Sequence, residues 1–151
     1  MSALPVTGGC QCGAVRYALS VHPNGAHFCH CRMCQRAVGG PFAALAGVKR
    51  DQLSWTRGEP AVFSSSSLAD RGYCRDCGTP LYFAYKAANR ISVTIGSLDY
   101  PEAHPIGVHH GVESRMPWLK LCDGLPEDET GSTPDDAAAL AGMVSHQREG
   151  G

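Results

Sequence analysis

From Ala14 to Val21, apolar and polar side chains alternate. Val15, Tyr17, Leu19 and Val21 fall on one side, with Arg16 and Ser20 on the other. A period of two predicts a half-buried β-strand. Shorter apolar runs, bounded by glycine and proline, read as strands at Phe42–Ala46, Ser54–Arg57, Val62–Ser65 and Gly72–Cys74. Four more follow at Leu81–Tyr85, Arg90–Ile95, Gly107–His110 and Trp118–Leu121. Pro23-Asn24-Gly25 predicts a turn, with Ala26-His27-Phe28 leading back into the chain. Arg32 to Val38 has room for a single helical turn before Gly39-Gly40-Pro41 stops it. Ser64–Ser67 reads as an exposed loop, and no internal repeat is found. Short strands without a long amphipathic helix predict a mostly β domain.

The chain has 151 residues, of which 43% are hydrophobic and 18% charged, enough apolar material for one domain of ordinary size. Composition changes at Glu127, which divides it into a domain over 1–126 and an acidic tail over 127–151. The tail carries six acids and one base, a net of −5, which leaves +4 on residues 1–126. Thr133 can cap a helix with Pro134 at its first position, running through Ala137–Val144. The tail has few large apolar residues, so it is expected to be flexible or short-helical and loosely attached.

Several classes fall away on these grounds. No apolar run approaches the ~20 residues of a membrane helix; the longest, Phe42 to Val48, is seven residues and contains Gly47. The opening MSALPVTGG lacks the basic segment and apolar core of a secretory signal. A body at +4 has no basic stripe of the kind that grips a phosphate backbone, so nucleic acid is not expected as a partner.

The eight cysteines change the picture most. They stand at Cys10-Gln-Cys12, Cys29-His-Cys31-Arg-Met-Cys34, Cys74-Arg-Asp-Cys77 and a lone Cys122. Disulfide frameworks usually spread their cysteines along the chain, because bridged residues come from separate segments. Close-set pairs instead turn two sulfurs toward one point about 2.3 Å away, as a tetrahedral thiolate site needs. The clusters therefore read as reduced metal ligands, and reduced thiols predict a cytoplasmic setting. Sulfur-rich tetrahedra select zinc or iron; a single rubredoxin-like iron also suits four cysteines, but no four-iron spacing is present.

Seven clustered sulfurs divide into four and three. A structural zinc takes four protein ligands, whereas a catalytic zinc keeps one position open. Cys31/Cys34 with Cys74/Cys77 would make a zinc ribbon. Cys10/Cys12 with Cys74/Cys77 would leave Cys29, Cys31 and Cys34 as a compact trio, which is the easier geometry because six residues can meet one ion unaided. His30 is expected to point away from its cysteine neighbours, in a packing role. His109 and His110 face opposite sides of any strand. Cys122 reads as a small buried residue. Arg32, Arg36 and Arg75 lie beside the clusters, either offsetting thiolate charge or gripping a substrate carboxylate. Trp55, Trp118, Tyr82, Phe83 and Tyr85 read as core or sheet-face residues.

The chain resembles the glutathione-dependent formaldehyde-activating enzymes, grouped with the centromere-protein-V domain. The resemblance lies in Gly8-Gly-Cys-Gln-Cys-Gly-Ala-Val-Arg-Tyr17, Cys29-His-Cys-Arg-Met-Cys-Gln-Arg36, Gly58-Glu-Pro60 and Gly72-Tyr-Cys-Arg-Asp-Cys-Gly-Thr-Pro-Leu81. It continues through Gly96-Ser-Leu-Asp99, Pro117-Trp118 and Asp123-Gly-Leu-Pro126. The resemblance implies a β-tent fold carrying two zinc ions. It implies Cys10, Cys12, Cys74 and Cys77 as structural ligands, with Cys29, Cys31 and Cys34 as ligands of a catalytic zinc.

Three thiolates make a divalent zinc formally −1, a weaker Lewis acid than a three-histidine site and a poor one for hydrolysis. A fourth sulfur suits it better. The expected function is therefore a carbon–sulfur lyase, or S-hydroxymethylglutathione synthase, joining a small thiol such as glutathione to an aldehyde such as formaldehyde. The alternative is a non-catalytic zinc-stabilised binding module.

Overall fold

The computed structural model describes residues 3–121, 133–142 and 144. Its strands are β1 (Val6–Gly9), β2 (Arg16–Leu19), β3 (Asn24–Cys29), β4 (Ala43–Val48), β5 (Leu53–Arg57), β6 (Ala61–Ser64), β7 (Ala69–Tyr73), β8 (Pro80–Tyr85), β9 (Ile91–Thr94) and β10 (Val108–His110). Two α-helices, α1 (Arg32–Val38) and α2 (Pro134–Ala141), join a few 3₁₀ turns. The fold is mostly β, as the alternation predicts. Among the described residues, no helix is long and apolar enough to cross a membrane.

The strands form two sheets, β1-β2-β5 and β10-β3-β4-β9-β8-β7-β6. Neighbours pair antiparallel except β10, which lies parallel to β3 with His110 opposite Cys29. The inward face predicted for β2 is the one that is buried. Tyr17 and Leu19 are fully enclosed and Val15 nearly so, while Arg16 is only half-buried. They pack with Val48, Leu81 and Val93 of the larger sheet in one core. Trp55 meets Tyr17 edge-on, with ring centroids 5.7 Å apart.

Polar contacts pin β1 and β2 to the segment after β9. The Arg16 guanidinium forks onto the Asp99 carboxylate, with Nη1 3.0 Å from Oδ1, and the Thr7 hydroxyl donates to Oδ2 at 2.6 Å. The Tyr17 hydroxyl lies 2.7 Å from that of Ser97. The motif Gly96–Asp99 thus serves as an anchor. Asp99→Ala should lower stability by about 1.5–3 kcal/mol, since it leaves a half-buried guanidinium without its carboxylate. A denaturant midpoint equal to wild type would show that the pair contributes nothing.

Local differences from the expectations have local causes. Trp118–Leu121 is no strand: Leu119 N–H donates to the Met116 carbonyl at 3.0 Å in a turn, and Trp118 is 67% exposed. No neighbouring ladder takes it up, and an apolar run without a partner edge gains nothing from extension. The Pro23-Asn24-Gly25 turn is partly absorbed into β3, where a register shift between Asn24 and His27 accommodates Gly25 at φ +64°. The short β1 was not foreseen, because Val6-Thr-Gly-Gly offers no alternation. Helix α1 runs seven residues, and Gly39 ends it in the left-handed conformation, its N–H bonded to Gln35 O. Helix α2 begins at Pro134 as expected, with the Ala137 N–H on Thr133 O at 2.9 Å, but ends at Ala141, short of Val144.

Candidate metal centres and the cavity beside them

Cys10 and Cys12 lie in the turn joining β1 to β2, and Cys74 and Cys77 in the turn joining β7 to β8. Their four sulfurs lie within 4.8 Å of one another, with Cys12–Cys74 at 3.8 Å and Cys10–Cys12 at 3.5 Å. Four ligands at 2.3 Å from one zinc would stand about 3.8 Å apart. Gly78 makes the second turn possible, at φ +78° with its N–H on the Cys74 carbonyl. Cross-links hold the two turns together: Gln11 N–H donates to Thr79 Oγ1 at 3.1 Å, and Gln11 Nε2 to the Cys77 carbonyl at 3.2 Å.

Cys29 ends β3, Cys31 is the N-cap of α1, and Cys34 lies in the first turn of α1. Their sulfurs also lie within 4.8 Å of one another. Cys31 Sγ accepts the Cys34 N–H at 3.3 Å, the bond that a serine or aspartate cap ordinarily makes. The structure thus groups Cys74/Cys77 with Cys10/Cys12 and not with Cys31/Cys34. These seven cysteines are free thiols. Cys122 lies outside the described residues.

The electrostatics of both groups suit a cation. Burial pushes the Cys77 thiol up, but hydrogen bonds from Thr79 and Cys12 outweigh it and pull it down to about 6. Cys12 has an Ala14 N–H that lowers it, yet desolvation and three neighbouring thiols push it up to about 12. Burial first, and then the neighbouring sulfurs, push Cys29 to about 12. Cys31 goes the other way: burial is offset by the Cys34 and Met33 N–H groups and the adjacent thiols, which lower it. In each group one thiol is shifted down and another up. Thiolates this close repel unless a metal neutralises them, and an all-sulfur set fits zinc.

The trio lines a cavity of about 540 Å³, and none of Cys10, Cys12, Cys74 and Cys77 lines it. His110 lines this cavity while His109 turns the other way, with Nδ1 2.8 Å from His30 Nε2. His30 itself is fully buried and stands outside the sulfur group. His27, on the same wall, has Nδ1 2.8 Å from the Gly25 carbonyl. As donor there, Nδ1 leaves Nε2 as the acceptor nitrogen. Buried Gln35 ties this end of the fold together, its Nε2 reaching the His30 carbonyl at 2.7 Å and the Ser114 carbonyl at 2.9 Å.

Of the arginines singled out by sequence, none touches a sulfur. Arg32 donates to Gln35 Oε1 at 2.6 Å, and Arg36 and Arg75 are exposed. Arg71 of β7 is the one at the site, Nη2 3.5 Å from Cys34 Sγ and Cζ 4.8 Å above the Phe83 ring. Only its position three residues before Cys74 hinted at it. Phe83 and Tyr85, on β8, line the cavity from the sheet face, whereas Tyr82 packs beside Trp55. A second cavity of about 320 Å³ lies against Leu45, Arg71 and Phe83 and touches no cysteine.

The profile of the glutathione-dependent formaldehyde-activating enzymes matches residues 5–110. A Schizosaccharomyces pombe protein named "Uncharacterized lyase" is 33% identical over 78 residues, 52% of this chain and 56% of that one. A Podospora anserina protein named "Putative glutathione-dependent formaldehyde-activating enzyme" is 32% identical over 77 residues, 48% of this chain and 36% of that one. The chain thus spans little more than half of one relative's length and about a third of the other's. A Rhodobacter sphaeroides crystal structure, 21% identical, superposes over 68% of this chain and 98% of its own with a TM-score of 0.56, a likeness of fold.

Proposed function

We propose, because this chain belongs to the glutathione-dependent formaldehyde-activating enzyme family, that its cysteine trio activates a thiol for addition to an aldehyde. The observation carrying this reading is the asymmetry between the two groups. Four sulfurs gather at the junction of two turns, a set that would close a structural zinc site, whereas three sulfurs gather beside a cavity, a set that would leave a position for a substrate. Zinc at the trio would supply a preference for the thiolate form of an incoming thiol and hold it in place.

The chain's own groups do the rest. Cys29, Cys31 and Cys34 provide donors from one short segment, so the open position is set by local backbone. With glutathione and formaldehyde, the thiol sulfur forms a bond to the carbonyl carbon. The C=O double bond becomes a C–O single bond, and the proton lost by the thiol ends on that oxygen. The product is S-hydroxymethylglutathione, and the reverse reaction cleaves the carbon–sulfur bond. His27 Nε2, the acceptor nitrogen on the wall, would hold the proton in transit.

The test is NMR exchange at equilibrium, because the adduct also forms unaided. Zinc-loaded protein should exchange glutathione and formaldehyde with their adduct faster than buffer does. Thiol uptake at the metal should appear in the spectrum of cobalt-substituted protein. Exchange at the buffer rate with no thiol uptake would leave a non-catalytic zinc-stabilised module as the better reading.

A further inference from the structure

The cavity beside the trio has a one-sided charge. Among the described residues its titratable walls, apart from the cysteines and Tyr85, are His27, His110, Arg71 and Arg90, with no aspartate or glutamate. Arg90 is exposed and engaged elsewhere, its Nη2 shared between the Asn24 carbonyl at 3.0 Å and Asn24 Oδ1 at 2.7 Å. Arg71 is half-buried, with its guanidinium carbon over the Phe83 ring and one N–H directed at Cys34 Sγ. The ion pairs formed among the described residues are Arg16–Asp99 and Lys86–Asp70, so Arg71 has no carboxylate partner there. Its chain neighbour Asp70 turns to the other side of β7, as alternation requires, and meets Lys86 at 3.8 Å.

We propose that Arg71 determines thiol specificity by binding a carboxylate of the incoming thiol, so that the site takes anionic thiols in preference to neutral ones. The inference rests on the thiol-binding reading above and adds the residue that selects the thiol. A guanidinium offers five donors in a rigid plane, and the contact with Cys34 engages one. The contact over Phe83 restrains the guanidinium in advance, so less entropy is lost when a carboxylate docks. Charge balance asks for such a group. Three thiolates around a divalent ion carry −1 and repel an anionic substrate, and Arg71 on the same wall reverses that repulsion.

The probe is S-methylglutathione, which keeps both carboxylates and has no free thiol. It is compared by calorimetry with its diethyl ester on zinc-loaded wild type, Arg71→Met and Arg71→Lys, with zinc content measured for each. Wild type should bind the acid about 10–100-fold more tightly than the ester, the range of a charge-assisted pair. Arg71→Met should abolish the preference and Arg71→Lys should keep part of it. In steady state, Arg71→Met should raise KM for glutathione far more than KM for 2-mercaptoethanol. A structural role, or one acting only through Cys34, would shift both thiols together and overturn the proposal. Equal binding of acid and ester by wild type would also overturn it, and that comparison needs no variant to fold. A carboxylate preference lost in Arg71→Met, in a protein that does not accelerate thiol–aldehyde exchange, would uphold Arg71 and sink the formaldehyde reading.

Discussion

Serine in place of Cys10 or Cys77 should cost the protein most of its folding stability. The two residues come from turns belonging to different sheets, 67 residues apart in the chain, and the sulfur group is where those turns meet. Structural zinc contributes roughly 10–16 kcal/mol in small zinc domains, against net domain stabilities of about 5–15 kcal/mol. The share is smaller here because Tyr17, Leu19, Leu81 and Val93 already form a core across the two sheets. Even a third of that contribution would bring a marginal domain near its threshold. Both variants should lose about one zinc per chain and either aggregate or melt far below wild type. Metal analysis with circular dichroism melting reads both. A soluble Cys10→Ser with one zinc and an unchanged midpoint, beside an aggregating Cys31→Ser, would mean that the roles are reversed.

Cys31→Ser should have the opposite profile, a folded protein without catalysed exchange. Cys31 caps α1 through its sulfur, and serine is among the best N-cap residues, so the helix start survives the change. What is lost is one of three donors, and two sulfurs are too few to hold the ion that would position a thiol. Zinc should fall from about two to about one per chain, with only a small shift in melting temperature. Exchange between glutathione, formaldehyde and their adduct should drop to the buffer rate. Exchange persisting at the wild-type rate in a Cys31→Ser protein shown to lack the second zinc would remove the trio from the reaction.

Contacts within a few residues were legible in the sequence because neighbouring residues cannot avoid one another. The trio is such a case: its three sulfurs lie within six residues, and the helical turn over Arg32–Val38 with its stop at Gly39 was expected, whereas the strand end at Cys29 and the cap at Cys31 were not. Alternation around Tyr17 gave the buried face of β2 for the same reason, since successive strand residues must point to opposite sides. His109 and His110 were separable on that ground too, though not which of them meets the cavity. That depends on β10 lying parallel to β3.

Other features depended on which distant segments meet. Spacing left two partners open for Cys74 and Cys77, and only the approach of the β1–β2 turn to the β7–β8 turn chose Cys10 and Cys12. Arg71 lies 37 residues from Cys34 and was passed over for arginines nearer the cysteines in sequence. Sheet order brings β7 beside β8, and Phe83 opposite Arg71 in that register sets the guanidinium over the ring. Trp118–Leu121 shows the converse, an apolar run with strand character that no ladder takes up. Local geometry is written in covalent spacing and side-chain period. Partner choice is a competition among segments for the same edges and cavities, and the folded chain as a whole decides it.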